Sequence, residues 1–397
     1  MKKTLRISLV TETYLPQING VSRTLDRLVR HCAEQGDRLQ LLLPRYPNGT
    51  TNLPGGVRID DWRAVPLPFY REVLLPLATP RSVIKALGSF RPDLVHIATE
   101  GPLGRATLHA SQRLGVPVVS SYHTNFAEYL ARYRASPLTE LCWRYLRHFH
   151  NATRRTFCPT PSTRRELEDR GFRNVTVWGR GVDSERFHPS RRDLALRRSL
   201  GIAPDEIVLA YAGRLAAEKN LDLLVDAWRT LPERERCHLL FIGDGPLRQK
   251  LEERSGERSI FTGYRQGEEL ASLYASADLF VFPSLTETFG NVVLEAMASG
   301  LPAIAFAVQG PGDIIKDGQT GRRVETVDAG AFRLAMSELV TDHCRRRAMG
   351  AMARRHAETQ NWEQIMDGLR ESYLATVADP AAAADKLAQK KSTNNPS

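Results

Sequence analysis

The feature that most constrains this chain is a rhythm of short, continuously apolar runs separated by amphipathic stretches. Arg6–Val10 and Leu39–Leu43 read as strands. Ser22–Gln35 between them reads as a helix whose apolar positions Leu25, Leu28, Val29 and Cys32 recur at helical spacing. Gly36 falls where a helix C-cap is expected. Further strands follow at Leu94–Ile97 and Val116–Ser120, separated by a small-residue helix, Leu103–Leu114. Strands that are apolar throughout must be buried on both faces, the condition of a parallel sheet covered by helices. The rhythm restarts with Ile207–Tyr211, Cys237–Ile242, Ser259–Phe261, Leu279–Val281 and Ala303–Phe306. The expected fold class is therefore α/β, with two doubly wound, Rossmann-like domains.

A length of 397 residues suits two such domains. Asp183–Arg198, with His188-Pro189 and alternating charge, reads as an exposed linker. The expected division is 1–185 for the first domain, 186–360 for the second, and 361–376 for a helix returning to the first. Residues 377–397 have no periodic apolar face and read as a disordered tail. Five scattered cysteines form no Cys-x-x-Cys pair, which argues against a disulfide framework or a structural zinc and for a reducing compartment. The start, Met1-Lys2-Lys3, has a basic flank, but Arg6 and Ser8 interrupt the apolar run that follows, so it reads as a buried strand and not a signal peptide. No stretch approaches the roughly 20 apolar residues that span a bilayer. The expected location is cytoplasmic, with at most peripheral contact with the inner face of the membrane.

Charge is uneven. Residues 1–190 hold 28 Lys and Arg against 16 Asp and Glu, a net of +12, and the remaining 27 and 29 give −2. A basic half implies an acidic partner: nucleic acid, anionic headgroups or a phosphorylated substrate.

Four clusters carry the chemistry. In Pro283–Pro302 a strand runs out into a loop holding Glu287, and a helix begins near Phe289 and ends at Gly300, with Glu295 about two turns in. The free backbone N–H groups at such a helix start suit a diphosphate, and two carboxylates beside it accept hydrogen bonds from a polyol. In Tyr211–Asn220, Arg214 and Lys219 follow a strand and can converge on one anion at the carboxyl edge of the sheet. Thr11–Ser22 is another strand-end loop entering a helix, with Asn19-Gly20 as its turn and Ser22 as a candidate N-cap. Val119–Phe126 is a polar burst after a buried strand, placing His123 at the sheet edge, facing a cleft between the domains.

In order and spacing these clusters resemble the retaining, GT-B-fold glycosyltransferases of family four, and within them the bacterial mannosyl- and sulfoquinovosyl-type enzymes that glycosylate lipids. Glu287 and Glu295 match the family's E-x7-E pattern, extended by Phe289-Gly290 and by Ala296-Met297-Ala298-Ser299-Gly300-Leu301-Pro302. Trp178-Gly179-Arg180-Gly181-Val182-Asp183 matches the stretch entering the second domain. The resemblance covers roughly residues 5–375. It implies two domains facing across a cleft and transfer of a hexosyl unit from a nucleotide sugar, GDP-mannose or a UDP-hexose, to a lipid or sugar acceptor. It assigns the leaving diphosphate to Arg214 and Lys219, the ribose hydroxyls to Glu295 and the donor-sugar hydroxyls to Glu287. Thr288, Phe289, Gly290 and Asn291 complete the donor loop, Gly20 belongs to a phosphate loop of the first domain, and His123 contacts the donor sugar near the reacting centre. It implies no metal and no cofactor, in keeping with the lack of an Asp-x-Asp triplet in these loops. The cations and helix dipoles are then left to offset the leaving-group charge.

For the acceptor side, residues 129–155 interleave Arg132, Arg134, Arg144 and Arg147 with Tyr133, Trp143, Tyr145 and Phe149. Such a segment suits an anionic membrane surface, although Trp143 and Leu146 could equally pack inward. A dehydrogenase reading fails on Gly243-Asp244-Gly245-Pro246, which lacks the third glycine of the dinucleotide fingerprint. A nucleic-acid binder has the charge but no recognition signature, so nucleic acid is not expected as a partner. A sugar-nucleotide epimerase or a phosphorylase shares the expected fold and stands as an alternative.

Overall fold

The computed structural model describes residues 3–17, 19–47, 49–50, 53–67, 70–123 and 136–379. The chain divides into two compact units, 1–179 with 365–397, and 180–364.

The first unit is built on a seven-stranded sheet of β1 (Arg6–Val10), β2 (Arg38–Pro44), β3 (Arg58–Trp62), β6 (Leu94–Ile97), β7 (Val118–Ser121), β8 (Arg155–Cys158) and β9 (Val175–Val177), in the order β3-β2-β1-β6-β7-β8-β9. All its pairings are parallel. A small antiparallel hairpin, β4 (Ala64–Leu67) and β5 (Tyr70–Pro76), is inserted after β3. The second unit holds six parallel strands, β10 (Ile207–Ala212), β11 (Cys237–Ile242), β12 (Ser259–Phe261), β13 (Leu279–Phe282), β14 (Ala303–Phe306) and β15 (Gly321–Val324), in the order β12-β11-β10-β13-β14-β15. Its central strands are buried throughout, from Val208 and Leu209 to Phe280 and Val281, because helices cover both faces.

In each sheet the order reverses beside the first strand. β1 lies between β2 and β6, and β10 between β11 and β13. Successive crossovers leave such a strand in opposite directions, so the loops at its carboxyl end and at its neighbour's part to form a crevice where ligands bind in folds of this kind.

The strands that apolarity did not signal are the short or edge ones. β3 (Arg-Ile-Asp-Asp-Trp) and β15 (Gly-Arg-Arg-Val) are sheet edges that carry charge, and β9 has three residues. Asp183–Arg198 is largely exposed, as expected of a linker, but two of its residues anchor it and several of its charges are paired. Phe187 and Arg197 are buried, and the Arg197 guanidinium donates to Ser276 O at 2.8 Å and Glu206 O at 2.6 Å and pairs with Asp278 at 3.1 Å. The helix Trp362–Ala378 runs two residues into the stretch read as a tail, and residues 380–397 lie outside the described residues. From Ile365 on this helix belongs with the first unit. There Arg370 forms a buried, two-pronged pair with Asp37, at 2.7 and 2.8 Å.

Candidate active site

The second unit's switch point brings together the loops after β10 and β13. Gly213 opens the first loop, and the Tyr211 hydroxyl, rising from the buried end of β10, donates to Arg214 O at 3.1 Å. The loop after β11 lies directly behind, with Gly213 N–H on Ile242 O at 3.0 Å and Leu215 N–H on Asp244 O at 2.9 Å. At Gly243 a side-chain Cβ would sit 2.0 Å from Gly213 O. Gly243 and Gly245 thus serve the close approach of two loops, which is what the imperfect dinucleotide fingerprint was marking.

Each cation of this loop is oriented by an acid. Arg214 donates to Glu218 at 2.5 Å, and Lys219 pairs with Glu287 of the loop after β13. Burial opposes the charge on Glu218, but Arg214 and Lys219 outweigh it and hold this carboxyl below the usual range. Two further bonds tie the loops: Thr286 Oγ1 to Glu218 O at 3.2 Å and Asn220 Nδ2 to Pro283 O at 3.3 Å. Ser284 adds a hydroxyl bond to Glu287 at 3.1 Å. Arg214, Lys219 and Glu287, named from sequence, are thus gathered at one point. Glu218 was missed, though its i,i+4 spacing from Arg214 was a usable signal.

Thr288 and Phe289 are half-buried and lead into the helix Asn291–Ala298, two residues shorter at each end than the sequence suggested. Gly290, at φ +91°, is its N-cap, and no side chain caps it. A Cβ at Gly290 would be strained and would press on Pro311 at 3.2 Å. Asn291 begins the helix with its Oδ1 buried and without a hydrogen-bond partner among the described residues. Glu295, on the second turn, accepts from the Tyr274 hydroxyl at 3.2 Å. Tyr274 is fully buried, and burial together with the Glu295 charge pushes its hydroxyl far above its ordinary pKa, so it stays a donor. Tyr274 stands 21 residues before Glu295 and left no sequence signal.

In the first unit Gly20 opens the helix Gly20–Glu34 beyond β1 and is exposed. The N-cap is Asn19, not Ser22. Asn19 Oδ1 accepts from Ser22 N–H at 2.8 Å while Ser22 Oγ accepts from Asn19 N–H at 3.0 Å, a capping box in which the serine is the third helical residue. Glu12, also in this loop, is buried and accepts from Leu103 N–H at 2.8 Å at the start of the helix Pro102–Leu114. Burial, with the Glu100 charge adding to it, raises its carboxyl to about 7 against the pull of the backbone N–H groups of Leu103, Gly104 and Gly101. His123 lies two residues beyond β7, buried, its ring 5.6 Å from that of Trp178. Arg144 and Arg147 are exposed on the helix Ser136–Asn151, whose Trp143, Leu146 and Phe149 are buried. Arg132 and Arg134 lie outside the described residues. No helix among the described residues is long and apolar enough to cross a membrane.

Two family models match this chain: "Glycosyltransferase Family 4" over residues 18–186 and "Glycosyl transferases group 1" over 193–356. A GDP-mannose-dependent alpha-mannosyltransferase of Corynebacterium glutamicum is 34% identical over 377 residues, covering 94% of this chain and 90% of that one. A sulfoquinovosyl transferase of Arabidopsis thaliana is 33% identical, covering 95% of this chain and 75% of that one. Among solved structures, Anabaena HepE in complex with UDP and glucose superposes with a TM-score of 0.71 at 18% identity, covering 93% of this chain and 99% of that one. The chain therefore belongs to the family-four glycosyltransferases, as a hexosyltransferase of GT-B fold.

Proposed function

We propose that the chain moves a hexosyl unit, with retention of anomeric configuration, from GDP-mannose or a UDP-hexose to a hydroxyl of a membrane glycolipid or diacylglycerol. The observation that carries this reading is the pair of tied switch-point loops, which gather Arg214, Lys219 and Glu287 beside an uncapped helix start. Such a cradle offers cations and backbone N–H groups to a diphosphate and carboxylates to sugar hydroxyls. Arg214 and Lys219 stabilise the departing diphosphate without a metal or cofactor, Glu287 orients the donor sugar, and Glu295 holds the ribose. His123 contacts the donor sugar near the reacting carbon, and Gly20 gives its backbone to phosphate. The departing phosphate oxygen takes the proton of the acceptor hydroxyl as the new glycosidic bond forms on the face the diphosphate leaves. The GDP-mannose and sulfoquinovosyl names of the relatives favour a hexose nucleotide as donor. The basic first half and the exposed Leu141, Arg144, Tyr145 and Arg147 support docking on an anionic membrane from the cytoplasmic side.

The test is a thermal-shift screen with GDP-mannose, UDP-glucose, UDP-glucuronate and the free diphosphates, followed by transfer to diacylglycerol in vesicles and nuclear magnetic resonance of the product's anomeric proton. A rise in Tm with one nucleotide sugar and its diphosphate, and a product with the donor's configuration, are expected. Inverted configuration contradicts the retaining mechanism. Transfer to soluble sugars alone moves the acceptor from lipid to metabolite, and conversion of donor without acceptor marks an epimerase.

A further inference from the structure

The first unit contains a buried histidine that the proposed chemistry does not use. His96, on β6, is fully buried and bonded at both ring nitrogens: Nδ1 lies 2.6 Å from the Tyr373 hydroxyl and Nε2 2.6 Å from Ser121 Oγ. Ser121 closes β7, two residues before His123. Trp178, just beyond β9, packs on both histidines, its ring 5.9 Å from that of His96 and 5.6 Å from that of His123. Phe157 of β8 closes the cluster, 5.9 Å from His96 and 6.3 Å from Tyr373. One imidazole thus connects the C-terminal helix, the end of the strand that leads to His123, and the ring against which His123 rests.

We propose that His96 and Tyr373 are positioning residues, which fix His123 through Ser121 and Trp178 and make its alignment depend on the docked C-terminal helix. The proposal rests on the reading of His123 as a residue that contacts the donor sugar. Burial lowers the His96 pKa to about 3, so the ring is neutral in the working pH range, with one nitrogen donating and the other accepting. The two hydroxyls must therefore take opposite roles, one accepting from the ring and the other donating to it, and together they hold the ring at both nitrogens. Tyr373 is not needed to dock the helix, because Arg370 already pairs with Asp37 at 2.7 Å and Arg154 donates to Thr376 O at 2.8 Å. Removing its hydroxyl therefore loosens the histidine without detaching the helix.

A double-mutant cycle separates positioning from a merely structural role. Release of nucleoside diphosphate from GDP-mannose or UDP-glucose, with diacylglycerol vesicles as acceptor, is measured in the wild type, Tyr373→Phe, His123→Ala and the double variant. Tyr373→Phe is expected to lower kcat at least about threefold with donor KM nearly unchanged, and to have almost no effect once His123 is absent. Ser121→Ala, which removes the bond at the other nitrogen, should behave alike and serves if Tyr373→Phe folds poorly. An equal loss in both backgrounds, or no loss from either hydroxyl while His123→Ala is impaired, overturns the positioning role. A fully active His123→Ala overturns instead the reading of His123, and the proposal falls with it.

Discussion

Glu12 shows how strongly a single residue's surroundings can act. The carboxyl faces Glu100 and the backbone N–H groups of Gly101, Leu103 and Gly104, while His150 binds Glu100 at 3.0 Å from the neighbouring helix. Its pKa of about 7 in the fold, against 4.5 when unperturbed, means that the folded chain keeps a proton which the unfolded chain has lost between those values. That contribution to stability is fully present below pH 4.5 and is lost as pH rises through about 7. Glu12→Gln keeps an acceptor for Leu103 and never charges, so its stability relative to wild type should improve from pH 5 to pH 8 by on the order of 1–3 kcal/mol. Urea unfolding at the two pH values measures this; an unchanged difference contradicts the raised carboxyl. At this scale the sequence singled out residues but not their partners. Arg214 and Lys219 were read as two cations for one anion, whereas each is aimed by a carboxylate, one of them 68 residues away. Only the nearer pairing, between Arg214 and Glu218, has a local spacing that sequence can reveal.

Elements buried on both faces were the legible ones. Cys237–Ile242 and Leu94–Ile97 agree residue for residue with the strands found, each an apolar run carrying a single buried histidine, His238 or His96. β3 and β15 escaped because an edge strand needs only one apolar face and gains from charge on the other. The helix Ser136–Asn151 confirms the inward packing and leaves a second, outward face. Trp143, Leu146 and Phe149 pack inward, while Leu141, Arg144, Tyr145 and Arg147 remain exposed. An outward face of this composition should bind anionic vesicles reversibly, each cation contributing about 1 kcal/mol near the surface and less as salt shortens the Debye length. Co-sedimentation at low and high ionic strength is expected to fall steeply when Arg132, Arg134, Arg144 and Arg147 are changed to Gln. Equal binding by that variant, or none by the wild type at low salt, contradicts the membrane face.

Across the whole molecule the two sheets repeat one design, a first strand placed centrally with the order reversing beside it. The alternation of strand and helix was readable, and with it the doubly wound class. The pairing order that makes a crevice was not, because it is fixed by contacts between strands distant in sequence, such as Leu209 opposite Leu279. The division of the chain at 179/180 and 364/365 is likewise set by which surfaces bury together, and the charge-rich stretch after 183 packs on the second unit. If the loops after β10 and β13 form the donor site with divided labour, calorimetric titration of GDP and UDP separates the roles of their residues. Lys219→Ala and Glu295→Ala should each weaken the preferred diphosphate about tenfold or more, a loss of about 1.4 kcal/mol. Glu287→Ala, which releases Lys219 from its pair, should leave diphosphate affinity unchanged or tighter while abolishing transfer. Equal weakening by Glu287→Ala and Glu295→Ala, or undiminished affinity in Lys219→Ala, would contradict those roles.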